Sequence, residues 1–517
     1  MVSMIQRGKK MTTAGRTFKG LVCCLFILAL SACGGATANV TPGSVEVMLD
    51  TPIDEIAGGV RLAPPENHWD GYGRAVDVYG DVLVVGESEW NHSGSGSVYV
   101  YRLLDGAWQQ EAQLKASDSD KGQFAQGFGT SVTLGDGILA VGAPGTDDSQ
   151  AGENIGAVYV FEFDGRSWVE RAKLMPDRTN QENVQNELGW ESYGGLGHRS
   201  FGDLVALHAD TLAVGGNSDT DIVYVFQHSE DRWQEQARIP IPGSSGRELY
   251  MTSLALFGDS LALSVLYVPP QPEPLLLLSG TVTVYLYERI GKIWKEGFRF
   301  IPEDGEKDFL YYPGENVGAS VALGGIAGKA NLFAVGLSGF PDWTGELDPS
   351  LLGSNPDRSK IPVSSHKTGA VYIFEPAEDG GWNQQVTLKP AGWENPPGPG
   401  SFPENPSPTD VAAFVFPGDV FSENPEISFF GETVDLDGNQ LAVTSGFANA
   451  TYVFERSDQD WVYRFRITPS QVDDGLWEDF DQIVTLSDSI LLLGTPGEHG
   501  NSAYVFRLCG TSIPDCK

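Results

Sequence analysis

Short apolar runs, each closed by Gly, Pro, Asp or Asn, recur along the chain from about Val60 to Phe506. Residues 128–134, 138–144 and 156–161 each alternate or run apolar over the length of a strand and end on turn residues. After Trp168, residues 171–174 add a fourth run with alternating character. A period of two bounded by turn residues predicts strands, and four such strands in succession form one unit.

The unit repeats. The second run returns at 82–86, 212–215, 261–263, 332–336, 441–443 and 491–496, and the third at 98–101, 223–226, 282–285, 371–374, 452–454 and 504–506, so each occurs seven times. Trp108, Trp168, Trp233, Trp294, Trp382 and Trp461 open the fourth strand only six times, because the chain ends soon after Phe506. The missing fourth strand stands at the front, where residues 60–64 match 112–116 and 465–469. A last strand supplied by the N-terminus closes a ring and leaves no open sheet edge at the junction. The expectation is an all-β, seven-bladed β-propeller of four-stranded antiparallel blades over residues 59–508, the N-terminal strand forming the outer strand of the last blade.

These strings resemble the FG-GAP repeats of integrin α-subunit propellers and their bacterial relatives. The resemblance is carried best by Phe128-Gly129 with Gly142-Ala143-Pro144, while Tyr72-Gly73, Phe201-Gly202, Val317-Gly318, Phe430-Gly431 and Gly494-Thr495-Pro496 keep parts of the pattern. It implies a propeller used for adhesion or ligand binding, with calcium held in an expanded turn between the first two strands of a blade. Residues 77–81 and the string holding Asp435 and Asp437 keep some of that spacing. A hard cation needs about six or more oxygens, and these turns are too short to supply them. Asp118, Asp120, Asp147 and Asp148, on the loop side, are the other weak calcium candidates. Asp and Asn also form tight turns through their own backbone hydrogen bonds, and that reading leads for all of these residues. No cofactor is expected, and calcium stays open without an intact motif.

In a four-stranded blade the connection after strand two and the connection after strand four emerge on one face. The long excursions 175–200, 265–278, 337–367 and 391–428 all follow strand two or strand four. Insertions on one face of a repeat protein mark a binding side, and a spacer role is the competing reading, above all for the proline-rich 396–408. Trp190, Tyr193, Trp343 and Trp393 are the candidate ligand-face residues, since they fall outside the repeat pattern; pinning their own loops is the competing role.

Charge narrows the partners. The formal net charge is -36, and the first 32 residues carry only basic groups, so the rest is more acidic still. Such a surface repels phosphate, which argues against nucleic acid. Residues 1–32 read as a signal peptide, with an apolar stretch of about a dozen residues, too short for the roughly 20 that span a bilayer. Leu30-Ser31-Ala32-Cys33 resembles the bacterial lipobox, which implies lipidation of Cys33, a tether over 33–58, and a place in the bacterial cell envelope at the outer membrane. An ordinary signal peptide, giving a soluble periplasmic or secreted protein, is the alternative. In the tail 509–517, Cys509 and Cys516 pair as a disulfide in an oxidising compartment.

Seven histidines are scattered singly, with no HExxH string and no GxSxG elbow. A carboxylate pair in the central channel stays open, because distance and not spacing defines it. The expectation is a monomeric, non-enzymatic, lipid-anchored binding or adhesion-type propeller for a protein or glycan. An envelope-assembly scaffold is the first alternative, and a propeller hydrolase, lyase or quinone-dependent oxidoreductase the second.

Overall fold

The computed structural model describes residues 59–63, 71–88, 96–119, 125–147, 155–176, 200–216, 221–243, 248–268, 281–302, 319–338, 369–378, 380–388, 430–446, 450–457, 460–467, 483–495 and 501–508. The chain parts into Met1–Gly34 and Gly35–Lys517, and the first unit lies outside the described residues. The second is a β-propeller of seven four-stranded antiparallel sheets. The first strands of blades 1 to 7 are Tyr72–Tyr79, Ser131–Leu134, Leu204–His208, Glu248–Phe257, Ala319–Ile326, Phe430–Asp437 and Ile483–Ser487. Each touches the first strand of the next blade, and the last returns to the first, so these inner strands form a complete circle.

Strand position explains composition. The second strand of a blade is flanked by strands on both edges and by blades on both faces, and Val82–Glu87 and Ile490–Thr495 are buried at every residue. The fourth strand lies at the rim, where Ala107–Leu114 is exposed or partly covered at every residue but Leu114. In blades 1 to 6 the register of the third strand against the fourth shifts at the same place, between a β-branched or leucine residue and an aromatic one, as at Val160/Phe161 and Val453/Phe454. A bulge repeated at one level adds twist to each of these six blades. The blade 7 sheet is completed from the front of the chain, with Val60 opposite Val505, Arg61 opposite Tyr504 and Leu62 opposite Ala503.

The Phe-Gly pairs are corners between blades. Phe201 is 1% exposed and packs edge-on against Tyr224 at 5.3 Å, and Tyr72, Phe128 and Phe430 meet Tyr99, Tyr159 and Tyr452 in the same way. Gly202, at φ +91°, donates from its N–H to Gly215 O at 3.2 Å and turns its carbonyl toward Gly142 of the preceding blade. A side chain on Gly142 would collide with that carbonyl, so the recurring pair of glycines across a blade boundary is a backbone-to-backbone contact. The same approach joins Gly86 to Gly129, Gly336 to Gly431 and Gly494 to Gly73.

The recurring Trp serves the opposite end of the boundary. Trp168 Nε1 donates to Glu111 Oε2 of blade 1 at 3.2 Å, and Trp294 Nε1 to Gln236 Oε1 of blade 3 at 3.2 Å. A buried indole both covers apolar surface and fastens its N–H to the neighbouring blade.

Candidate functional site

One position in the inner strands varies while its neighbours do not. Read from blade 1 to blade 7 it is Asp77, Thr133, Ala206, Ala255, Ala322, Asp435 and Thr485, each preceded by an apolar residue and followed by Val or Leu. The polar members fall in blades 6, 7, 1 and 2, on both sides of the ring closure, and the alanines in blades 3, 4 and 5. Asp77 Oδ2 accepts from Leu134 N of blade 2 at 2.7 Å, and Thr133 Oγ1 accepts from Leu207 N of blade 3 at 3.1 Å. Asp435 Oδ2 accepts from Leu486 N of blade 7 at 2.7 Å. Each side chain thus satisfies an N–H of the next blade that no ladder partner reaches.

Thr485 links the two carboxyls. Its hydroxyl donates to Asp77 Oδ1 at 3.1 Å, and it is also a hydrogen-bonding neighbour of Asp435. Asp77 and Asp435 keep part of their surface open yet lie deep among protein atoms. Loss of bulk water pushes the Asp77 carboxyl up to about 6, against the backbone N–H groups of Leu134 and Val78, which favour its charge. The same loss of water, helped by the charge of Asp77, pushes Asp435 up to about 7. Asp437 is raised as well, by burial, and its Oδ2 accepts from Asp488 N of blade 7 at 2.6 Å.

In blades 4 and 5, which carry alanine there, a serine hydroxyl two residues earlier does the fastening. Ser253 Oγ accepts from Val321 N at 3.0 Å, and Ser320 Oγ from Val434 N at 3.1 Å.

A second polar group lies at the loop end of blade 1. Glu87 occupies the place of Ala143 in blade 2, is 1% exposed, and accepts from Tyr99 OH at 2.9 Å. Tyr72 and Tyr101, where blade 2 has Phe128 and Phe161, hydrogen-bond to each other at 2.9 Å. Burial raises all three tyrosine hydroxyls, so they stay protonated; Tyr99 donates to Glu87, and one of Tyr72 and Tyr101 donates to the other.

Of the calcium candidates, Asp118 holds Lys173 Nζ at 2.6 Å and accepts from Tyr159 OH at 2.8 Å, at the loop end of blade 2. Asp147 is described there too, after the short pair formed by Ala125–Gln126 and Gly145–Thr146. Asp435 and Asp437 each receive backbone N–H donors from blade 7; positive ends of dipoles point at these oxygens, the reverse of a cation site. Among the described residues no three of His, Cys, Asp and Glu converge as a metal centre. Asp120, Asp148, Trp190, Tyr193, Trp343, Trp393, Cys33, Cys509 and Cys516 lie outside the described residues.

An FG-GAP repeat model matches residues 63–101 and 108–161, the stretch of blades 1 and 2 that holds Gly86, Phe128, Gly129 and Gly142. The chain carries FG-GAP repeats. The structure extends the same FG-GAP corner to blades 3 and 6, through Phe201-Gly202 and Phe430-Gly431. No curated protein matches the sequence. Among solved structures, the periplasmic gluconolactonase of Pseudomonas aeruginosa is 14% identical, with 86% of this chain and 90% of that one covered at a TM-score of 0.38. A chain of the mitotic checkpoint complex is 11% identical, covering 89% of this chain and 98% of that one at 0.42. At TM-scores this low neither bears on the chemistry of this chain.

Sequence reasoning placed Asp77, Asp435 and Asp437 in turns; the structure puts their side chains on the inner strands, facing the next blade. Thr133, Thr485 and Glu87 were not singled out. The available signal was the position itself, where aligned inner strands show Asp or Thr against Ala.

Proposed function

We propose that this propeller is an extracytoplasmic binding module, lipid-anchored through Cys33 at the outer membrane, whose loop-bearing face meets a protein or glycan. One observation carries the reading. The turns between first and second strands are as short as 80–81, 209–210, 258–259, 327–328, 438–439 and 488–489, and those between third and fourth include 105–106, 230–231 and 291–292. Positive φ at Asp105 and Gly106, and at Glu230 and Asp231, marks these as tight two-residue hairpins with no room for a ligand loop. The connections at the other end run to 269–280, 338–369 and 389–429. Length variation confined to one end, on a frame of rigid blades, suits recognition. The integrin-like FG-GAP pattern in blades 1 and 2 supports a binding role over a catalytic one.

The test uses residues 34–517 immobilised and exposed to solubilised envelope protein and to a glycan array. Shortening 338–369 or 389–429 to a Gly-containing turn should abolish capture, while substitutions at Gly106 or Asp231 on the opposite face should leave it intact. Capture lost only by the second set would refute the assignment of the face. Lipid labelling should disappear in Cys33→Ser, and labelling that persists would remove the anchor.

A further inference from the structure

A cavity of about 400 Å³ lies at the rim, between the fourth strand of blade 3 and the last hairpin of blade 4. Its apolar walls are Ile239, Pro240, Ile293 and Trp294. Small-molecule sites span about 300–1,000 Å³, so the space suits a modest ligand.

Tyr287 also lines it. At the same register of the third strand, across from Leu or Phe of the second, five other blades carry Phe161, Phe226, Phe374, Phe454 and Phe506. The fold therefore requires a ring at this position and no hydroxyl. Blade 1 has Tyr101 there, whose hydroxyl is paired with that of Tyr72. Tyr287 is 4% exposed, and its hydroxyl is buried with no hydrogen-bond partner among the described residues. Buried polar atoms are nearly always bonded, so a hydroxyl added at a Phe position calls for a partner from outside the fold. Burial raises this phenol, and the charge of Glu296 adds to the rise, so it stays an O–H donor.

The other charged groups lining the cavity are cations. Lys292 is exposed and makes no ion pair among the described residues. Arg238 is held by Glu235 at 2.6 Å and lies over the Tyr224 ring. No Asp or Glu lines the space, in a chain of net charge -36. Glu235 and Glu296, on the two fourth strands, are each taken up by a pair of hydrogen bonds, from Arg238 and Arg299.

We propose that this rim cavity binds an aliphatic monocarboxylate, its chain against the apolar walls and its carboxylate received by the Tyr287 hydroxyl and the Lys292 ammonium. A carboxylate accepts from both donors; an alcohol satisfies the hydroxyl and leaves the ammonium without an opposite charge, and an amine meets Lys292 with a like charge. The site uses no residue of the long connections, so its test stands apart from the face assigned above.

The experiment titrates residues 34–517 with sodium octanoate, octanol and octylammonium chloride by calorimetry at low salt. Octanoate should occupy one site, octanol should bind at least about tenfold more weakly, and octylammonium should give no heat of binding. Tyr287→Phe installs the residue of five other blades, keeps the walls, and should weaken octanoate about tenfold or more, the worth of one hydrogen bond to a charged group. Lys292→Gln should weaken it several-fold and remove most of its salt dependence. Arg166→Gln alters the equivalent hairpin position of blade 2, where the ring is Phe161, and should change nothing. Octanoate should also raise the melting temperature of the wild type and not that of Tyr287→Phe. The proposal is overturned if octanoate fails to bind, binds no better than octanol, or binds Tyr287→Phe or Lys292→Gln as well as wild type. A loss in Arg166→Gln equal to that in Lys292→Gln overturns it too, since general charge would then explain the binding.

Discussion

The hydroxyl of Thr485 donates to the carboxyl of Asp77 at 3.1 Å and joins residues 408 positions apart. It crosses the boundary between the last blade and the first, where Ser487 Oγ also accepts from Gly80 N at 3.5 Å and Gly494 meets Gly73. Thr485→Val keeps the shape and removes the donor. Loss of a hydrogen bond to an acidic group costs about 1.5–3 kcal/mol, and Thr485→Ser should cost much less. Urea midpoints compare the three proteins, and equal loss in Val and Ser would show that the hydroxyl is not what matters.

Gly142 has no space for a Cβ, because the carbonyl of Gly202 occupies it. Gly142→Ala should force blades 2 and 3 apart at a cost of about 2–3 kcal/mol. Gly165, in an open hairpin with nothing near its missing Cβ, is the comparison, and Gly165→Ala should cost only the left-handed backbone penalty of about 1 kcal/mol. Melting temperatures of the two variants should therefore separate clearly.

Ring closure by Val60–Leu62 protects the edge of Ser502–Arg507. Comparing residues 34–517 with 64–517 removes that strand alone together with its tether. The shorter protein should melt earlier and self-associate, because an open strand edge pairs with another chain. Light scattering and calorimetry report both effects, and a monomer of unchanged melting temperature would count against closure.

Asp118 behaves oppositely to the inner ring. Burial works to raise its carboxyl, but the bonds from Lys173 and Tyr159 outweigh it and hold it below the usual aspartate range. A depressed folded value contributes stability above the unfolded one and loses it as pH falls through the folded one. Asp118→Asn should thus be less stable than wild type at neutral pH and indistinguishable from it in strong acid. Paired unfolding curves at the two conditions show whether the gap closes.

Much of this molecule follows from local rules. The period-two runs, the tight Gly and Asp turns, the sevenfold recurrence and the displaced strand at residues 60–64 name the propeller, because each blade is built from contacts between strands adjacent in sequence. The single face of long connections follows from the same alternation of strand direction. Cys33 and the acidic balance are likewise properties of the chain read in one dimension.

What the chain could not disclose is what happens where blades meet. The string around Asp435 and Asp437 reads as a cation turn or a plain one, and only the packed neighbour shows that its carboxyls receive N–H groups from blade 7. Asp77 and Thr485 belong to opposite ends of the sequence, and no spacing rule connects them. The repeat sets which residues occupy equivalent positions; closing the ring sets which of them touch. That second step depends on blade twist and on two backbones approaching at a glycine pair, so only the tertiary structure decided that Thr485 would donate to Asp77 across the closure.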